Sequence, residues 1–67
     1  VEHLISVNYA GELPNLGVLH SCGILLEDIN FELFSIDFHL EADTREQAEE
    51  QARVRVRAAG LRVRGIL

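Results

Sequence analysis

The sequence predicts a small α+β domain: a four-stranded, mostly antiparallel sheet in the order β-β-β-α-β, with one helix packed on one face. Three observations lead there. Phe31 to Ala42 alternates with period two, Phe34, Ile36, Phe38 and Leu40 on one side and Ser35, Asp37, His39 and Glu41 on the other. Ala48, Ala52, Val56 and Ala59 then recur at helical spacing behind a capping signal. A second alternating run, Leu61 to Leu67, follows Gly60.

The elements follow in chain order. Glu2 to Tyr9 alternates loosely and is β-branched and aromatic on the His3, Ile5, Val7, Tyr9 side, so it reads as a strand. Ala10 to Gly17 holds two glycines, a proline and an asparagine and reads as a loop. Val18 to Glu27 is apolar and β-rich and reads as a second strand, weakened by Gly23. Asp28-Ile29-Asn30 supplies the turn, with Asn30 as its left-handed residue. Thr44 with Gln47, or Asp43 with Glu46, fits a capping box for a helix through Ala59, and Gly60 fits its left-handed C-terminal cap. The last strand is expected beside Phe31–Ala42 and parallel to it, by a right-handed crossover.

Length and composition narrow the function classes. The chain of 67 residues is one domain, 1–67, too short for a dinucleotide-binding fold or a barrel. Its core is marginal, and with a single cysteine no internal disulfide can support it. The longest uncharged run, Leu13 to Leu26, is too short and too interrupted to cross a bilayer. The lone cysteine and the lack of a charged-then-apolar start lead to an expected cytoplasmic location.

Charge is split along the chain. Residues 1–44 carry eight acids and no base; residues 45–67 carry three acids and six arginines, for a net charge of −5 and no lysine. Part of this is one helix obeying its dipole, with Glu46, Glu49 and Glu50 early and Arg53, Arg55 and Arg57 late. Glu49 and Arg53 are also a favourable i,i+4 pair. Arg62 and Arg64 lie outside that account. They are expected to pair with Asp37 or Glu41, or with the acidic half of a neighbouring copy.

Several residue sets suggest chemistry. His20 and Cys22 with Asp37 and His39 are metal-ligand types that a two-residue hairpin loop would bring together. A three-residue loop, pairing Glu27 with Phe31, disperses them. Asn30 favours the latter, so no metal site and no cofactor is expected. No nucleophile elbow, phosphate loop or dinucleotide fingerprint is present, and so small a chain offers little concavity, so no catalytic residue and no enzymatic activity is expected. Arg53, Arg57, Arg62 and Arg64 are the candidates for nucleic-acid contact; the net acidity and few aromatics disfavour it.

The favoured expectation is a non-enzymatic protein–protein interaction module, a homo-oligomer or the partner of another protein. With Glu27 opposite Phe31, Leu19, Leu25, Phe31 and Leu33 fall on the sheet face away from the helix. That second apolar face, or a strand edge, is the expected contact. The alternative is a small nucleic-acid-binding regulator using the arginines, and no membrane partner is expected.

Overall fold

The computed structural model describes residues 1–67. Strand β1 (Glu2–Ala10) occupies the middle of the sheet, where its alternation is most useful. Ile5, Val7 and Tyr9 are buried on one side, while Leu4, Ser6 and Asn8 face the other. The expected four-stranded antiparallel sheet with one main helix on one face is what forms. Its strand order is β2-β3-β1-β4, with β2 at Ile29–Asn30, β3 at Ser35–Glu41 and β4 at Arg62–Ile66.

The second strand differs from expectation. Residues 18–27 do not form it. Leu16–Ser21 is a short helix, α1, followed by a one-turn 3-10 helix at Leu26–Asp28 and then by the two-residue β2. Local chemistry explains the change. The Asn15 side chain accepts the Val18 N–H at 3.0 Å, capping α1. Gly23, at φ +75°, ends it, with Gly23 N–H on the His20 carbonyl and Ile24 N–H on the Leu19 carbonyl. The order of elements is therefore β-α-β-β-α-β, the split β-α-β arrangement. Leu19 and Ile24 join the core from this segment.

The β2–β3 turn also departs from the three-residue loop. Asn30 pairs with Ser35 and Ile29 with Ile36, leaving a four-residue loop, Phe31–Phe34. Asn30 is not its left-handed residue. Its carboxamide instead accepts the N–H groups of Glu32 and Leu33, each at 3.0 Å. The positive φ falls on Phe34, at 53°.

Helix α2 (Arg45–Ala58) is built as its sequence implies. Thr44 and Gln47 form a reciprocal capping box. Ala48, Ala52, Val56 and Ala59 are buried against the sheet. Gly60, at φ +80°, closes the helix, with Leu61 N–H on the Val56 carbonyl. Arg45, Glu49, Glu50 and Arg53 form ion pairs of 3.2–3.7 Å along its surface, the expected Glu49–Arg53 pair among them.

Strand β4 runs parallel in direction to β3 but does not lie beside it, because β1 pairs with both. The expected contact of Arg62 and Arg64 with Asp37 or Glu41 inside one copy is therefore absent. Two strand spacings, roughly 10 Å, separate the backbones. A bulge also interrupts β4. Val63 faces Tyr9 and Ile66 faces Val7, with Arg64 as the extra residue, so Ile66 turns to the core side rather than to the arginine side.

Candidate interaction surface

The sheet face away from α2 is polar. Across β1 and β3 it presents Ser6 opposite Asp37, Asn8 opposite Ser35, Leu4 opposite His39 and Glu2 opposite Glu41. The Ser6 hydroxyl donates to Asp37 at 2.6 Å, and His39 Nδ1 lies 3.7 Å from Glu2. The second apolar face expected from the hairpin register does not exist, because residues 18–27 supply no strand to carry it.

The four apolar candidates separate. Leu19, the buried residue of α1, lies in the core. Leu25, Phe31 and Leu33 stay 46%, 55% and 61% exposed, and Leu26 and Phe34, at 49% and 56%, join them. These five lie within ten residues at the β2 end of the sheet. Two shallow clefts run through the segment and share Glu27. One is lined by His20, Leu25, Leu26 and Glu27; the other extends from Glu27 to Glu32 and reaches Asp37. The rim is acidic, with Glu27, Asp28, Glu32 and Asp37.

Phe34 was missed by sequence because the alternation of β3 runs straight back through it. Its carbonyl accepts the Tyr9 N–H at 2.8 Å and the Asn8 side chain at 3.0 Å. Those bonds hold the backbone in the left-handed region, unfavourable for a bulky residue. The ring meets Tyr9 edge-on, centroids 6.2 Å apart, and the residue stays about half exposed.

His20, Cys22, Asp37 and His39 do not converge. His20 and Cys22 end α1 on the helical side, whereas Asp37 and His39 face the opposite side of the sheet. No group of three or more His, Cys, Asp or Glu side chains is arranged around a metal-sized site. Cys22 is half-buried beside a shallow cleft with His20, Arg55 and Ala58.

Four of the six arginines, Arg53, Arg57, Arg62 and Arg64, lie toward the β4 end of the sheet. Gln51 donates to the Glu41 carbonyl at 3.4 Å, and the Arg55 guanidinium lies over Gly23. These contacts turn one flank of α2 toward β3 and α1. Arg53 and Arg57, on the other flank of the Ala48–Val56 stripe, lie toward β4. Arg53 is engaged by Glu49 and Glu50. Arg57, Arg62 and Arg64 have no carboxylate within 4.0 Å. The charge split of the sequence thus becomes a spatial one, with an acidic β2–β3 side and a basic β4 side.

No protein-family model, curated protein or solved structure matches the chain. No helix is long and apolar enough to cross a membrane.

Proposed function

We propose that this chain is a non-enzymatic protein–protein interaction module that associates with itself through the strand edge of its sheet at the β2–β3 end. The observation that carries this reading is the exposed group Leu25, Leu26, Phe31, Leu33 and Phe34 beside that edge. Concentrated apolar exposure of this kind marks an interaction site on a small domain. Phe34 adds to it: a bulky, half-exposed side chain is kept in a costly backbone conformation. The small core and lack of a disulfide give association a further role, since covering this group adds buried apolar area that the single chain lacks.

Sedimentation velocity over the micromolar range tests the reading. A concentration-dependent dimer or larger species is expected, and a monomer throughout overturns it.

The free guanidinium groups of Arg57, Arg62 and Arg64 support a second reading, a small nucleic-acid-binding regulator using Arg53, Arg57, Arg62 and Arg64. The acidic remainder of the surface opposes it at long range. A mobility-shift assay at low salt separates the two. A salt-sensitive shift lost in the Arg57→Ala/Arg62→Ala/Arg64→Ala variant favours the second reading, and no shift removes it.

A further inference from the structure

We propose that copies of this chain join head to tail, the outer edge of β4 in one copy lying along the outer edge of β3 in the next. Arg62 and Arg64 of the first then sit beside Asp37 and Glu41 of the second. This inference rests on the self-association reading and gives it a geometry.

Both edges have a stretch with no strand beside it. β4 (Arg62–Ile66) pairs only with β1, so its other side meets no strand. β2 covers only Ser35 and Ile36 of β3, so no strand flanks Asp37–Glu41. The 3-10 turn Leu26–Asp28 packs beside the Asp37 end of that stretch, so the freest part of the β3 edge is Phe38–Glu41. The backbone of β3 is set for a neighbour there. The Phe34 carbonyl accepts the Tyr9 N–H and the Ala42 N–H donates to the Val1 carbonyl, so alternation sends the N–H and C=O groups of His39 and Glu41 outward. Of these, the Glu41 carbonyl takes only the Gln51 side chain, at 3.4 Å.

Charge selects the partner. Charged side chains on an edge strand ordinarily guard it against pairing. Here the guard works only between like edges. Two β4 edges would oppose arginine to arginine, and two β3 edges carboxylate to carboxylate. A β4 edge against a β3 edge brings opposite signs together. Asp37 accepts the Ser6 hydroxyl on Oδ1, and exposed Glu41 has Oε2 3.2 Å from the Val1 amino group, so each carboxylate keeps a second oxygen for a guanidinium.

Direction fits as well. β3 and β4 are both antiparallel to β1 and so run the same way. A copy displaced along the sheet therefore lays β4 parallel to its neighbour's β3 and keeps every α2 on one side. The contact also draws the neighbour over Leu25 and Phe31, which flank the β2–β3 edge. Because it joins two different surfaces, it propagates or closes as a ring rather than stopping at a two-fold dimer.

Two charge-reversed chains test this. Arg62→Glu/Arg64→Glu alters only the β4 edge; His39→Lys/Glu41→Lys alters only the β3 edge. All four positions are exposed, and circular dichroism checks that both variants fold. Each alone is expected to associate about tenfold or more weakly than the parent. An equimolar mixture should recover oligomers of the parent size containing both chains, since every contact in an alternating assembly again joins opposite charges. If the parent is monomeric, the self-association reading itself falls. If the parent associates but either variant alone still does so with parental affinity, or the mixture recovers nothing, the head-to-tail geometry is overturned while self-association stands.

Discussion

The Ser6 hydroxyl donates a 2.6 Å hydrogen bond to the Asp37 carboxylate, and the two residues are direct cross-strand partners in β1 and β3. This contact is a marker of register. It can form only if the Ile5, Val7 and Tyr9 side of β1 turns inward with the Ile36, Phe38 and Leu40 side of β3, because a one-residue slip would place one partner in the core. Ser6→Ala should lower the unfolding free energy by about 1 kcal/mol, as the half-buried carboxylate loses its donor. In a double-mutant cycle with Asp37→Ala in urea denaturation, the combined loss should fall short of the sum. Full additivity would show that the contact contributes nothing.

The capping box sets a second expectation. Thr44 Oγ1 accepts the Gln47 N–H at 3.2 Å, while Gln47 Oε1 accepts from Asp43 at 3.1 Å and Thr44 at 3.4 Å. Thr44→Ala should cost about 1 kcal/mol, and Thr44→Asp, which keeps an acceptor near the positive helix end, should recover most of it. Thermal denaturation of the pair provides the measurement.

Small residues beneath α2 set the distance between helix and sheet. Ala48 and Ala52 are fully buried, and a close-packed interior resists added methylenes. Ala52→Leu should destabilise by about 1–3 kcal/mol despite leucine's good helix propensity. Ala58→Leu, on the exposed flank, should stay within about 0.5 kcal/mol. Equal effects at the two positions would contradict the packing described.

Sequence was most informative where one local signal had one structural solution. The Thr44–Gln47 box, the Ala48–Ala59 stripe and Gly60 specify a helix with a defined start, buried side and end. Residues 18–27 lacked that property. Their apolar, β-rich composition suits a buried strand or a short buried helix, and periodicity alone does not separate the two. The deciding signals were Asn15 as an N-cap and Gly23 as a left-handed terminator, eight residues apart. Gly23 also suits a bulge, which concealed its role. The candidate surface was lost in part for the same reason. Leu25, Phe31 and Leu33 were legible as surplus apolar groups, but their supposed sheet face depended on a hairpin that does not form. The bulge at Arg64 likewise left no mark in the Leu61–Leu67 alternation.

Tyr9 gives the fold a dependence on alkaline pH. Its ring is buried against the core, and burial raises the phenol above its ordinary value near 10. A group whose folded value lies above its unfolded one contributes stability that is complete below the unfolded value and lost as pH rises through the folded value. Stability should therefore decline above about pH 10. Tyr9 is the only tyrosine, so phenolate absorbance reports its titration directly. Tyr9→Phe should remove the absorbance and that part of the pH slope together; a slope unchanged by the substitution would assign it elsewhere.

Phe34 separates folding from association. At φ 53° it carries strain that glycine does not, worth about 1–2 kcal/mol for an ordinary residue in the left-handed region. Against this, Phe34→Gly gives up the edge-on contact with Tyr9, worth about 0.5–1.5 kcal/mol, and gains chain entropy in the unfolded state. These effects oppose one another, so the stability of the single chain should change by no more than about 1 kcal/mol. Self-association should respond differently, because the substitution removes an exposed aromatic ring from the Leu25–Phe34 surface and replaces it with nothing. Urea denaturation at a concentration where the parent is dissociated reads the first quantity, and sedimentation at micromolar concentration reads the second. A variant that keeps both its stability and its parental association would exclude Phe34 from the contact. A variant that loses both would mean that the ring's contact with Tyr9 outweighs the relief of strain, so that Phe34 acts through the fold of the single chain.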